Sequence, residues 1–184
     1  IPAWLCKTGM KLRNVSGSIC SKCYALKGRY VFPNVKNALI RRFNKISDPM
    51  WVDAMTIAID GTESSGFFRW HDSGDIQSLK HLTDICQIAK NLSNISFWLP
   101  TREYSIVAQY VKQNGALPEN LTVRLSALMI NGQPPVSIAN RLGCVTSGVS
   151  DIGFTCPSSA QGNKCLNCRA CWDKNVANVN YKTH

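Results

Sequence analysis

The cysteines carry the strongest chemical signal in this chain. Cys165-Leu-Asn-Cys168-Arg-Ala-Cys171 sets three thiols at two-residue gaps, so all three can turn toward one centre. That spacing is the compact part of a ferredoxin-type motif, whose fourth thiol comes from elsewhere in the chain. Cys156-Pro157, nine residues upstream of Cys165, supplies a candidate. Cys156, Cys165, Cys168 and Cys171 together read as ligands of a [4Fe–4S] cluster. Zinc is the alternative cofactor, though it more commonly takes two separated Cys-x-x-Cys pairs. Disulfides are a third reading.

A second group lies near the start. Cys20-Ser-Lys-Cys23 is another Cys-x-x-Cys, and Cys6 precedes it with thirteen residues between. Cys6, Cys20 and Cys23 would hold a cluster by three irons and leave the fourth open to a substrate or cofactor, as catalytic metal sites keep an open position. Two other readings stand beside that one. Cys20 and Cys23 form a redox dithiol, or they complete a single site with the tail cysteines. One cluster or two is therefore open. Cys86, on the apolar face of an expected helix, and Cys144 read as small core residues.

The remaining candidates are polar residues behind apolar runs. His71-Asp72-Ser73-Gly74-Asp75 follows Phe67-Phe68-Arg69-Trp70. His71 and Asp72 suit acid–base work or the binding of an amino or hydroxyl group. Asp75 reads as a helix cap. Arg102, in Thr101-Arg102-Glu103, either grips an anion or pairs with Glu103. Arg124 lies inside an apolar run and needs a polar partner if buried. His71, Asp72 and Arg102 are the catalytic candidates.

These residues must be positioned by alternating elements. Helices are expected from Asn34 to about Ser47, from Asp48-Pro49 to about Asp60, from Asp75 to about Leu92 and from Tyr104 to about Gln113. Strands are expected at 67–70, 95–99, 121–128 and 144–147. Strand, polar loop and helix in repeated order predict an α/β fold with an open or partial-barrel parallel sheet of βα units. In such sheets ligands bind at the carboxyl ends of the strands, which is where the polar candidates fall. The expected organisation is one domain over 1–184. It includes a basic cysteine-bearing loop segment at 1–33 and an irregular cysteine-rich cap at 150–184.

The composition is that of a globular chain, with 45% apolar and 17% charged residues. No apolar run approaches the roughly 20 residues of a membrane span. Nine cysteines, odd in number and grouped at metal-ligand spacings, favour a reducing compartment. The net charge is +10, and all of the excess sits early: residues 1–47 hold ten Lys and Arg and no Asp or Glu. A solvated basic face is the bland reading. The sharper one is a site for nucleic acid or a phosphate-bearing substrate, with aromatics interleaved among the charges. Nothing in the sequence fixes the oligomeric state.

Four blocks in order resemble the phage gene product 88 family: residues 17–30 around Cys20-Ser-Lys-Cys23, Arg69-Trp-His-Asp-Ser-Gly-Asp75, Trp98-Leu-Pro-Thr-Arg-Glu103, and residues 161–174 around the triple-cysteine run. The resemblance implies a bacteriophage protein acting in the host cytoplasm. A looser resemblance is to radical S-adenosylmethionine enzymes. It implies a partial βα barrel, with Cys6, Cys20 and Cys23 on a cluster that binds S-adenosylmethionine and the tail cysteines on an auxiliary cluster. The gap between Cys6 and Cys20 is longer than that family's usual first gap, and its Gly-Gly-Glu-type strand end is absent. Enzyme and non-enzymatic binding module, the latter with a structural iron–sulfur or zinc site, both remain open.

Overall fold

The computed structural model describes residues 1–182; the last two residues of the expected cap lie outside it. Six strands form one parallel sheet, curled into a half-barrel: β1 (Phe67–Arg69), β2 (Ser96–Thr101), β3 (Leu121–Ser126), β4 (Val145–Gly148), β5 (Phe154–Thr155) and β6 (Asn178–Asn180). Their spatial order is β1-β2-β3-β4-β6-β5, and every pairing is parallel. The α/β class and the partial-barrel sheet follow the sequence reading. The tail differs from an irregular cap, because it supplies both β5 and β6.

Six α-helices accompany the strands. α1 (Lys7–Leu12), α2 (Pro33–Lys45) and α3 (Trp51–Thr62) precede the sheet, whereas α4 (Leu79–Asn91), α5 (Tyr104–Asn114) and α6 (Val136–Arg141) connect successive strands. Local chemistry sets several ends. Pro33 opens α2 at the first helical position, where its missing N–H costs nothing. Ser78 caps α4 by accepting from the His81 N–H. Gly115, at φ 80°, ends α5.

Alternation along the strands divides the two sheet faces. Phe97 and Leu99 of β2 and Leu121, Val123 and Leu125 of β3 join Leu82, Ile85 and Ile88 of α4 and Val107 of α5 in the main core. Full burial of each such side chain is worth about 1.5–3 kcal/mol, so this face anchors the fold. The opposite face carries Trp98, Thr122, Arg124 and Ser126. The tail covers it with Cys171, Trp172, Val176 and Val179. The tail thus fills the concave side of the half-barrel.

Candidate functional site

The carboxyl ends of β1, β2 and β3 open on one side, and the N-terminal segment is threaded across them. Each outlet holds a piece of it. After β1, the Ser73 hydroxyl donates to the carbonyl of Ile1 at 2.7 Å. Gly74 sits at φ 82°, and an added Cβ would come within 2.6 Å of the Ile1 side chain. Tyr24 and Tyr30 donate from their hydroxyls to the Asp72 carbonyl and the Asp72 Oδ2 respectively. After β2, Glu103 accepts from the Thr8 N–H at 2.8 Å and from the Thr8 hydroxyl at 3.0 Å. That places a carboxylate on the first turn of α1, where free N–H groups favour an anion. After β3, Ile19 N donates to Leu128 O at 3.0 Å and Ile130 N to Gly17 O at 2.9 Å.

These ties gather the three N-terminal cysteines. Cys6 immediately precedes α1, whose start Glu103 holds. Cys20 follows the Gly17–Ile19 stretch pinned to β3. Gly9 lies between them: a Cβ there would meet the Cys6 Cβ at 2.9 Å and the Sγ atoms of Cys6 and Cys20 at 3.7 Å each. The two sulfurs therefore lie within twice that distance of one another, against a backbone that only glycine permits. Burial pushes the Cys6 thiol up to about 12, and negative charge on Asp75, Cys23, Cys20 and Glu103 adds to the shift. Burial raises Cys20 also, opposed by the nearby Arg102 guanidinium. Cys6, Cys20 and Cys23 thus share one neighbourhood with Asp75, Glu103 and Arg102.

Asp75 is not a helix cap. Ser78 takes that role, and the Asp75 carboxylate reaches across to the β2 outlet instead. Its Oδ1 accepts from Thr101 Oγ1 at 2.6 Å and from Ile76 N at 2.8 Å, and its Oδ2 accepts from Arg102 N at 2.9 Å. Burial still pushes its pKa up to about 6. Tyr104 stands nearby; burial raises its hydroxyl to about 12, with Arg102 opposing and Asp75 and Cys20 adding.

The three catalytic candidates occupy different settings. Arg102 donates from Nε to Ala127 O at 3.2 Å, while Glu103 is engaged by Thr8. Asp72 is held by the two tyrosines. The His71 ring turns inward against Trp70 and His81, at centroid distances of 6.2 and 5.4 Å. Its backbone is left-handed, at φ 57°. Both ring nitrogens are shielded and lack a hydrogen-bond partner among the described residues. Burial, then the neighbouring His81, lowers its pKa well below the ordinary value, so the ring is neutral.

The tail cysteines form a separate group on the concave face. The buried Cys171 thiol lies 3.3 Å from the Tyr181 hydroxyl. Burial raises it to about 11, and Cys156 and Cys165 add to the shift. Cys168 N closes a turn onto Cys165 O at 2.9 Å, while Cys165 is exposed. All nine cysteines are free thiols, which leaves the disulfide reading without a pair. Cys86 and Cys144 are buried, as expected. Among the described residues, no group of three or more His, Cys, Asp or Glu is arranged to hold a metal ion, and none of the helices is long and apolar enough to cross a membrane.

Thr8, Tyr104 and the Glu103 clasp carry no signal of their role in the sequence. Gly9, three residues after Cys6, was the one visible hint.

A family model described as "Gene product 88" matches residues 2–146. The matched span contains Cys6, Cys20, Cys23, His71–Asp75 and Arg102–Glu103; the tail cysteines and the block at 161–174 lie beyond it. No curated protein and no solved structure matches the chain. With most of its length covered by that model, the chain belongs to the phage gene product 88 family.

Proposed function

We propose that the chain is an iron–sulfur protein whose N-terminal thiols form an open cluster site of the radical S-adenosylmethionine type, acting on a nucleotide or nucleic acid. The observation that carries the reading is the convergence of Cys6 and Cys20 on Gly9, with Cys23 beside them, at the carboxyl mouth of a parallel half-barrel. A zinc ion would need its thiolates about 3.8 Å apart, from Zn–S bonds near 2.3 Å. A cluster spreads them over separate iron corners, a wider spacing that the Gly9 contacts of Cys6 and Cys20 also allow. Cys156, Cys165, Cys168 and Cys171 are the candidate ligands of a second [4Fe–4S] cluster.

A cluster bound at the mouth would supply one-electron chemistry and an open iron for S-adenosylmethionine. The chain's own residues do the rest. Glu103 fixes the turn that presents Cys6. Arg102, whose charge already acts on Cys20, offers a guanidinium to a carboxylate or phosphate at the mouth. Asp75, with its raised pKa, is placed to keep or release a proton near neutral pH. Asp72 holds Tyr24 and Tyr30 over the β1 outlet, and the neutral His71 ring packs inward beneath them against Trp70 and His81.

A second reading is a binding module in which the tail metal only staples the fold. It is favoured by the way the Cys171 backbone is built into the concave face, because metal binding there would add directly to folding free energy. The test is iron, acid-labile sulfide and zinc per chain after anaerobic purification, with spectra of the reduced protein before and after S-adenosylmethionine. About eight iron and eight sulfide, with a spectrum perturbed by S-adenosylmethionine and a perturbation abolished by Cys20→Ala, is the expected result. Zinc without sulfide would remove the radical reading and leave the binding module.

A further inference from the structure

We infer that the basic N-terminal segment carries a seat for single-stranded nucleic acid, in a cleft lined by none of the mouth thiols. The cleft has a volume of about 300 Å³ and is lined by Trp4, Arg13, Ala25, Leu26, Val31 and Lys36. Small-ligand sites begin at roughly that size. Its lining mixes polar and apolar surface; on the apolar side Ala25 is buried, and Trp4 and Leu26 are half-buried. Its charges are Arg13 and Lys36, both exposed. A slot with the Trp4 ring on one wall, polar surface beside it and two cations at hand matches a base with its adjoining phosphates. It does not match an apolar peptide or a metal.

Two further observations select the occupant. Phe32, next to the lining residue Val31, is 53% exposed. Its exposed ring, one residue along the chain from the slot, is of the kind that single-strand binders use as aromatic platforms. The cleft also lies within the segment 1–47, where ten cations and no acid occur. A free nucleotide would leave most of that charge unused, whereas a strand would neutralise it along several phosphates. Duplex is disfavoured because its bases are stacked and cannot enter a slot. This inference deepens the substrate class proposed above and rests on that reading only for it, since none of the cleft residues is a thiol.

The experiment measures binding of a fluorescent twenty-nucleotide oligothymidylate across a salt series, using the full chain both as purified and after metal removal. Duplex of the same length and polyglutamate serve as competitors. Arg13→Gln combined with Lys36→Gln should weaken binding at least tenfold and lower the magnitude of the log–log salt slope by about 1.4, at roughly 0.7 per phosphate contact. Phe32→Ala should weaken binding about tenfold with the slope unchanged. Lys112→Gln, on the distant α5, should change neither. These side chains are exposed, and unchanged melting curves would confirm that the variants fold. The inference is overturned if the strand does not bind at low salt, if duplex competes equally, or if Phe32→Ala has no effect while polyglutamate displaces the strand. The last outcome would assign the surface to an acidic polypeptide. Normal iron content with no strand binding would sink this inference alone; strand binding without iron would sink the cluster reading alone.

Discussion

Arg124, at the centre of β3, donates from Nε to the carbonyl of Cys171 at 2.9 Å across the concave face. The same guanidinium donates to the carbonyls of Thr146, Val176, Ala170 and Asp173 at 2.6–3.0 Å. All five of its N–H donors are used, and the side chain is fully buried. A single sheet residue therefore holds the loop that carries the last tail cysteine. The planar fork of arginine makes this possible; lysine has three donors on one nitrogen and cannot span that set.

Arg124→Met and Arg124→Lys should both destabilise the chain, by several kcal/mol for Met and somewhat less for Lys. Each leaves buried carbonyls without donors, at about 1–3 kcal/mol apiece until the loop lifts into solvent. Urea unfolding gives the free energies. Amide exchange across 170–180 should quicken well before the main core opens. A wild-type midpoint in Arg124→Lys would show that the carbonyl set does not hold the tail.

Arg124 also shows how far the sequence could be read. Its place in an apolar run demanded a polar partner, and that much was legible. The partners are one carbonyl of β4, 22 residues away, and four tail carbonyls 46–52 residues away, which no local pattern encodes. Strands β1 to β4 and the four longest helices were legible because their apolar periodicity is local. β6, Asn178-Val-Asn180, was not, because its two asparagines hide a strand whose polar groups are satisfied by neighbours: Asn178 accepts from Thr146 and Asn180 from Ser150 N. Asp75 looked like a cap because its best partners, Thr101 and Arg102, lie at the end of β2, far along the chain. The cysteine groups were visible by spacing. Their separation into a mouth group and a concave-face group came from tertiary pinning.

Glu103→Ala should loosen the clasp on α1. The carboxylate satisfies one N–H of the first turn and the Thr8 hydroxyl, so its loss should cost about 1 kcal/mol. Glu103→Gln keeps an accepting oxygen and should lose less. Thermal melts measure the cost, and iron uptake measures the consequence for Cys6. Full cluster loading in Glu103→Ala would mean that the clasp does not position Cys6.

Gly9→Ala tests the cradle directly. The new Cβ would stand 2.9 Å from the Cys6 Cβ, closer than packed carbons tolerate, so either Cys6 or α1 must move. Melting should fall modestly, by the 1–3 kcal/mol typical of overpacking. If the proposed cluster is real, iron should fall by about half while the tail site stays loaded. Unchanged iron would disconnect Gly9 from the metal.

Thiol reactivity should follow burial. In the metal-free chain at pH 7, Cys165 is exposed and should be alkylated by iodoacetamide first. Cys6, pushed up to about 12, and Cys171, pushed up to about 11, should be slowest among the seven metal candidates, because so little thiolate is present. Mass mapping at timed quenches reads the order. Early labelling of Cys6 would mean that the clasp of Glu103 on α1 does not shield it.

Stability should respond to pH through Asp75 in a way that a variant can isolate. Its pKa lies at about 6 in the folded chain, against an ordinary 3.8. Between those values the folded chain keeps the proton that the unfolded chain releases. Stability from this group therefore falls as pH rises through 4–6, by at most about 3 kcal/mol at 1.36 kcal/mol per unit. His81 acts in the opposite sense. Burial lowers it from 6.5 to about 4, so the unfolded chain takes up the proton first and stability falls as pH drops through that range. His71 is shifted the same way. The wild type should therefore show a flattened profile over pH 4–6. Asp75→Asn removes one opposing slope. The variant carries a constant offset, because an amide N–H aimed at Arg102 N–H replaces an acceptor. Its stability relative to wild type should nevertheless climb steadily from pH 4 to 6 and then level. Urea unfolding at half-unit steps would reveal the climb; a difference that stays constant across the range would mean that Asp75 is already ionised at pH 4 and that the mouth has no proton to give near neutrality.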